Sequence, residues 1–222
     1  MIERRAFLAG LIATGLVAST GRPARALPSS LDLRQYAYTL PPRKQAGDTC
    51  TVWAAHHGVA WMMARHHGWN HTLSIPVMDY FKRMEARPEA ARSDRLMADT
   101  ASKGYVFDQH QHTRCLPSWT PVLEQSSRQA SLKLRAAIAP GHPAVVTLVA
   151  PNGNGRWDWD AMPAYGHAVL ALGYTPDGII FKNSWGTGWG PYGNGYGFMT
   201  DAFVNQWVDG VYAVTGIRVT AR

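Results

Sequence analysis

The sequence predicts a chain of the α+β class, and three observations carry that reading. Residues 51–64 are apolar at ten of fourteen positions, a run with the length of a helix rather than a strand. The last third holds short β-type runs joined by a tight turn. The 222 residues, 46% of them hydrophobic, suffice to bury one substantial domain or two small lobes sharing an interface. With 21 Gly and 14 Pro, the composition is that of a compact, loop-rich protein and excludes a coiled coil.

The first 26 residues read as an address. A charged start, Glu3-Arg4-Arg5, precedes an apolar run from Ala6 to Ala18 and a polar end closing on Ala24-Arg25-Ala26. This is the layout of a secretory signal with an A-x-A cleavage site, and it predicts a mature start at Leu27. Arg4-Arg5-Ala6-Phe7-Leu8 resembles the twin-arginine export motif, although Glu3 and Ala9 depart from its usual flanks. The alternative is a general secretory signal. Either route places the mature protein in the periplasm or outside the cell. The apolar run is too short to span a hydrocarbon core of about 30 Å, so no stable membrane anchor is expected.

Charge excludes little beyond nucleic acid. Of the formal +7, the leader's four arginines against Glu3 supply +3, leaving +4 on residues 27–222. No basic cluster of five or more residues accompanies it, so no nucleic-acid partner is expected. Two cysteines, Cys50 and Cys115, permit at most one disulfide, and this is no disulfide scaffold.

From Leu27 to Pro42 the chain reads as an extended arm broken by prolines, followed by the polar loop Arg43-Lys44-Gln45-Ala46-Gly47. The helix then begins at Cys50. Asp48 and Thr49 favour the position before a helix, where a side-chain oxygen accepts an orphan N–H. A helix apolar on nearly every side belongs in the middle of a domain. It ends at Arg65-His66-His67-Gly68, cations in the last turn and then a glycine. Cys50 thus sits at the positive end of a buried helix, which favours its thiolate. Free cysteines are ordinarily small buried hydrophobes, so the chemistry depends on whether the chain supplies a base.

The middle is harder to read. Ser74–Met84 and Glu85–Met97 carry a helical period, interrupted at Pro88. His110, His112 and Cys115 have a spacing that suggests a metal, but no second Cys/His pair stands nearby. Residues 108–115 therefore read as a polar surface loop, and no metal is expected. His56-His57 and His66-His67 read as helix-face and last-turn residues. Residues 151–163, with two Asn-Gly turns and two tryptophans, read as a surface loop.

The last third supplies the base. Ala144–Val149 is a β-type run, and Tyr165–Tyr174 is a buried strand with a single histidine, His167, near its start. Pro176-Asp177-Gly178 turns the chain, and Ile179–Asn183 returns as the second strand of a hairpin. That hairpin brings Asn183 back beside His167. A helix-start Cys, a strand-start His and a neighbouring Asn follow the logic of a Cys-His-Asn triad. His167 takes the Cys50 proton to give a thiolate–imidazolium pair, and Asn183 orients the ring. Trp185 is placed to shield that hydrogen bond, and Gln45 to donate an N–H to an oxyanion.

With these residues in view, the chain resembles the papain-like cysteine proteases. The similarity lies in Leu27–Arg34, in Gln45, in Cys50 with its helix, in Gly166-His167-Ala168-Val169, and in Lys182-Asn183-Ser184-Trp185-Gly186-Thr187-Gly188-Trp189-Gly190. Tyr192-Gly193-Asn194-Gly195-Tyr196-Gly197 matches as well. The resemblance implies a two-lobe fold. A helical lobe at about residues 42–126 carries Cys50, and a β-barrel-like lobe at about 127–222, with the arm 27–41, carries His167 and Asn183. It implies hydrolysis of a peptide or protein substrate through a thioester on Cys50, without a cofactor. The oxyanion donors would be Gln45 and the Cys50 N–H, and Tyr165, Gly166 and Ala168 would line the substrate cleft. The sequence departs from the family in Gly47-Asp48-Thr49 before the cysteine, in Thr51 after it, and in a Gln45–Cys50 spacing one residue shorter. The partner cysteines of the family's disulfides are missing, and two free thiols are expected. No propeptide fits between Leu27 and Thr49, so narrow specificity, or low activity until export, is expected of a monomer. Two other readings keep the same cleft: an amidase or acyl transferase acting on cell-wall or other amides, and a catalytically silent peptide-binding module.

Overall fold

The computed structural model of the chain describes residues 26–37, 39–69, 93–107, 110–152, 156–157, 163–191 and 194–221. The leader, the helical segment expected over 74–84 and residues 85–92 of the one expected over 85–97 lie outside these residues.

The arm extends as expected and enters the sheet. Strand β1 (Leu31–Asp32) pairs with a later strand, and Asp32 accepts the Arg34 N–H to start a 3-10 turn over Leu33–Gln35. Helix α1 (Cys50–His67) follows and is buried at Thr51, Val52 and 54–63. Gly68, at φ 66°, ends it, and its N–H returns to the Ala64 carbonyl.

After the undescribed stretch come α2 (Ser93–Lys103), β2 (Tyr105–Phe107) and β3 (His110–Leu123). Helix α3 (Ala130–Ile138) precedes β4 (Ala144–Pro151) and the short β5 (Arg156–Trp157). The hairpin of β6 (Pro163–Thr175) and β7 (Gly178–Lys182) forms as the sequence predicts. The chain closes with β8 (Tyr196–Thr200), α4 (Asp201–Trp207) and β9 (Val208–Ala221). The strands join one sheet in the order β2-β3-β9-β4-β6-β7-β8-β5, with β1 also on β6. All pairings are antiparallel except β5 with β8.

Helix α1 lies on this sheet, against β6, β9 and β4. Gly58 permits the approach: a Cβ there would stand 3.1 Å from Val214 Cγ2 and 3.2 Å from Leu170 Cδ1. The helix has no polar side. Val52, Ala54, Ala55, Trp61 and Met62 join the main core, while Val59, Ala60 and Met63 pack a second cluster with Leu40, Tyr105 and Cys115. Trp61 Nε1 donates to the Leu33 carbonyl at 3.1 Å, tying the arm to the helix.

Four sequence expectations need correction. Residues 110–115 belong to β3, not to a polar loop, because β3 is hydrogen-bonded on both sides, to β2 and β9, and turns Cys115 into the second cluster. Within the segment read as a surface loop, Trp157 is buried and stacks on Phe181 at 4.6 Å, since so large an apolar ring gains most by leaving water. His56 and His57 are not exposed on a helix face; only 3% and 4% of their surfaces remain accessible. Helix α1 also lacks the expected side-chain cap, as Thr49 Oγ1 donates backwards to the Ala46 carbonyl instead. Helices α3 and α4 were not anticipated from the sequence.

Candidate active site

The site is built where the start of α1 meets β6. Cys50 is the first residue of the helix, and the first helical hydrogen bond there runs from Trp53 N–H to the Thr49 carbonyl. The Cys50 N–H therefore belongs to the orphan donors of a helix start. A cleft of about 420 Å³ opens beside it. The loop and helix start contribute Gln45, Asp48, Cys50 and Thr51 to its lining, and β6 with the segment after β7 contributes Tyr165, Gly166, His167 and Trp185.

His167 sits on β6 opposite Leu148 of β4 and is buried. Its Nε2 lies 2.8 Å from Asn183 Oδ1, just past the end of β7. The Ser184 backbone N–H also reaches Asn183 Oδ1, at 2.8 Å. A backbone N–H can only donate, so this atom is the acceptor, and His167 Nε2 must carry a proton toward it. The lone pair of the neutral ring is thereby assigned to Nδ1. The imidazole and its partner are also covered by neighbouring rings. The Trp185 ring stacks on the imidazole at 4.6 Å and 25°, Tyr165 meets its edge at 6.2 Å, and Asn183 is 1% exposed. Trp185 stacks on the ring although β7 ends at Lys182, because a backbone bridge to Lys44 holds it there.

Burial also sets the protonation states. It pushes His167 down to about 4, against a smaller upward pull from the Asn183 hydrogen bond. It raises the Cys50 thiol, with opposing contributions from the Ala168 backbone and from Thr51. The sequence argument from the helix dipole favours the thiolate; desolvation outweighs it here. Burial thus favours the uncharged form of each group, a thiol on Cys50 and an imidazole on His167.

The 43–47 loop is sewn to the segment after Asn183. Gln45 N–H donates to the Ser184 carbonyl at 2.7 Å, and Gly186 N–H donates to the Arg43 carbonyl at 3.1 Å. Ser184 Oγ donates to Gln45 Oε1 at 2.5 Å, and Gln45 Nε2 donates to the Gly47 carbonyl at 2.8 Å. That leaves Nε2 a second N–H. Ala168, expected in the substrate cleft, is buried and meets Cys50 through its backbone, while Tyr165 and Gly166 do line the cleft. Sequence reasoning missed Asp48 and Thr51 as lining residues, and Ser184 as the group that holds Gln45. Ser184 was legible only as a neighbour of Asn183. Cys50 and Cys115 are both free thiols, and Cys115 is buried. Among the described residues no cluster of metal-ligating side chains occurs.

Fold and site together define the papain-like class of architecture. Xylellain, a cysteine protease from Xylella fastidiosa, superposes with a TM-score of 0.66 at 17% identity, over 87% of this chain and 88% of that one. The bromelain protease from Ananas comosus, in complex with the E64 inhibitor, gives 0.63 at 20% identity, over 86% and 100%. A cysteine protease from Carica candamarcensis, in complex with E-64, gives 0.62 at 18% identity, over 85% and 99%. In sequence, the chain is 67% identical to papain from Carica papaya over 30 residues, which span 14% of this chain and 8% of that protein's length. No protein-family model matches the chain. The fold of this protein is papain-like, an α+β arrangement as the sequence predicts.

Proposed function

We propose that this protein is a cysteine peptidase that hydrolyses peptide bonds through Cys50, His167 and Asn183. The observation that carries the reading is the locked imidazole. With Nε2–H committed to Asn183, Nδ1 is the acceptor, and His167 shares one cleft with Cys50. The names of its structural neighbours add support, since two are cysteine proteases and the third is a protease in complex with the E64 inhibitor.

In this reaction His167 Nδ1 takes the thiol proton as Sγ attacks the substrate carbonyl carbon. The oxygen, now negative, faces the Cys50 N–H and the second N–H of Gln45, the kind of donor pair that contributes roughly 3–4 kcal/mol per group in such sites. The C–N bond then breaks, and the departing amine takes the proton from the imidazolium. A thioester on Cys50 remains. Water attacks it, His167 removes a proton from that water, and returning the proton to Sγ restores the thiol. Asn183 keeps the ring aligned throughout without adding a charge.

The leader supports export of this activity to the periplasm or the medium. Among the described residues no helix is long and apolar enough to cross a membrane. The test is cleavage of a mixed peptide library by the purified chain under reducing conditions, wild type against Cys50→Ser. Cys50-dependent cleavage is the expected result. Peptide binding without any such cleavage would favour a silent binding module, and cleavage confined to non-peptide amides would favour an amidase.

A further inference from the structure

Among the described residues, the cleft carries one formal charge that the mechanism above leaves unused. Asp48 lines the same cavity as Cys50, two residues before it, and its side chain is exposed. The other lining groups are uncharged near neutral pH. Burial keeps His167 deprotonated and holds the Cys50 thiol and the Tyr165 phenol protonated. Among the described residues no cation forms an ion pair with Asp48. Nor is its carboxylate spent on capping α1, the role that the sequence suggested for it.

The loop that presents Asp48 has a braced shape. Gly47, at φ +58°, makes the turn, and its carbonyl accepts from both Gln45 Nε2, at 2.8 Å, and the Thr49 N–H, at 3.0 Å. Thr49 Oγ1 donates to the Ala46 carbonyl at 2.8 Å. The backbone on either side of Asp48 is thus held by its own neighbours, and the residue lines the cleft from a braced turn.

The chemistry separates the two halves of a substrate. The departing amine must receive its proton from His167, which lies on β6. The acyl half stays bonded to Cys50, with its oxygen turned toward Gln45 and the Cys50 N–H. Asp48 lies in sequence between those two donors, on the same loop. We infer that Asp48 is a specificity-determining residue that selects a basic side chain, lysine or arginine, on the acyl side of the scissile bond. A guanidinium or ammonium there meets the Asp48 carboxylate, whereas an acidic residue meets repulsion. This inference rests on the peptidase reading.

The test uses pairs of peptides identical except for arginine or the uncharged citrulline just before the cleaved bond. Wild type should cleave the arginine peptide about fivefold faster in kcat/KM, the scale of one partly solvated ion pair, and salt should shrink the ratio. Asp48→Asn should bring the arginine-to-citrulline ratio to about one, and Asp48→Lys should favour glutamate at that position. A wild-type enzyme that cleaves both peptides equally overturns the inference, whichever variants fold. So does an unchanged ratio in Asp48→Asn, or a preference that follows the residue after the scissile bond. If wild type cleaves no peptide at all, the peptidase reading fails instead. The charge selection is then read from binding of the same two peptides to Cys50→Ser. Tighter binding of the arginine peptide, lost when Asp48→Asn is added, supports the selection, and equal affinities overturn it.

Discussion

At the scale of single residues, the account turns on what Asn183 does to His167. Its oxygen accepts from the ring at 2.8 Å in a buried, apolar setting. Removing it in Asn183→Ala leaves a buried N–H without a partner, a loss of roughly 1–3 kcal/mol. In transition-state terms that is roughly a ten- to hundredfold drop in kcat/KM. The pH profile distinguishes orientation from mere packing. Protonated imidazole cannot accept the thiol proton, so activity falls on the acid side as pH drops through about 4. The Asn183 bond raises the His167 pKa, so its removal should move that acidic limb to lower pH. A rate loss with an unmoved limb would assign Asn183 a packing role only. Ser184 acts one step further out, through Gln45. Ser184→Ala should lower kcat more than it raises KM, because a loosened Gln45 amide fails chiefly at the developing oxyanion. Stopped-flow acylation rates would check this.

At the scale of elements, α1 carries both Cys50 and an unusual load. His56 and His57 are buried in it, with His56 Nδ1 and His57 Nε2 lacking hydrogen-bond partners. Their rings lie 5.7 Å apart. Lys182, itself buried and donating to the Leu40 carbonyl, is close enough to disfavour charging either ring. Burial, more than this repulsion, pushes His56 down to about 3. Between the ordinary value of 6.5 and about 3, the unfolded chain binds protons that the folded chain refuses. Stability therefore falls as pH drops through that window, by ~2 kcal/mol at pH 5 from His56 alone. Urea melts of His56→Leu should show a flatter decline between pH 7 and pH 5 than wild type. An equally steep decline would place the acid sensitivity elsewhere.

The same helix shows what the sequence could and could not convey. Its burial was legible, because a helix apolar on nearly every side belongs in the interior. The fate of His56 and His57 was not, since one-dimensional pattern reads a polar pair as a solvent face. The β6–β7 hairpin was legible from its turn and its β-branched strands, and with it the approach of Asn183 to His167. Strand β3 was not: His110, His112 and two prolines mask it, and only pairing with β2 and β9 makes it a strand. Trp157 was hidden among turn residues for the same reason, as burial by Phe181, Trp189 and Phe203 is a tertiary fact. Asp48 was read through local helix chemistry as a cap candidate, whereas α1 starts without a side-chain cap and Asp48 lines the cleft.

At the scale of the whole molecule, the site is an assembly of distant segments. The 43–50 loop and helix start, the start of β6 and the segment after β7 meet in one cleft, held by backbone hydrogen bonds between residues 43–45 and 184–186. Cys50 and Cys115 differ accordingly. Cys50 opens on the cleft, while burial pushes the Cys115 thiol up to about 12. Only a thiol activated by this assembly should react with a peptide-like epoxide. The most direct measurement is the intact mass of the chain after reaction with E-64, for wild type, Cys50→Ser and His167→Ala. The account predicts one adduct per wild-type chain, mapped to Cys50, none on Cys50→Ser, and labelling of His167→Ala slowed by at least about a hundredfold. Labelling of Cys115, or a rate that does not depend on His167, would contradict it.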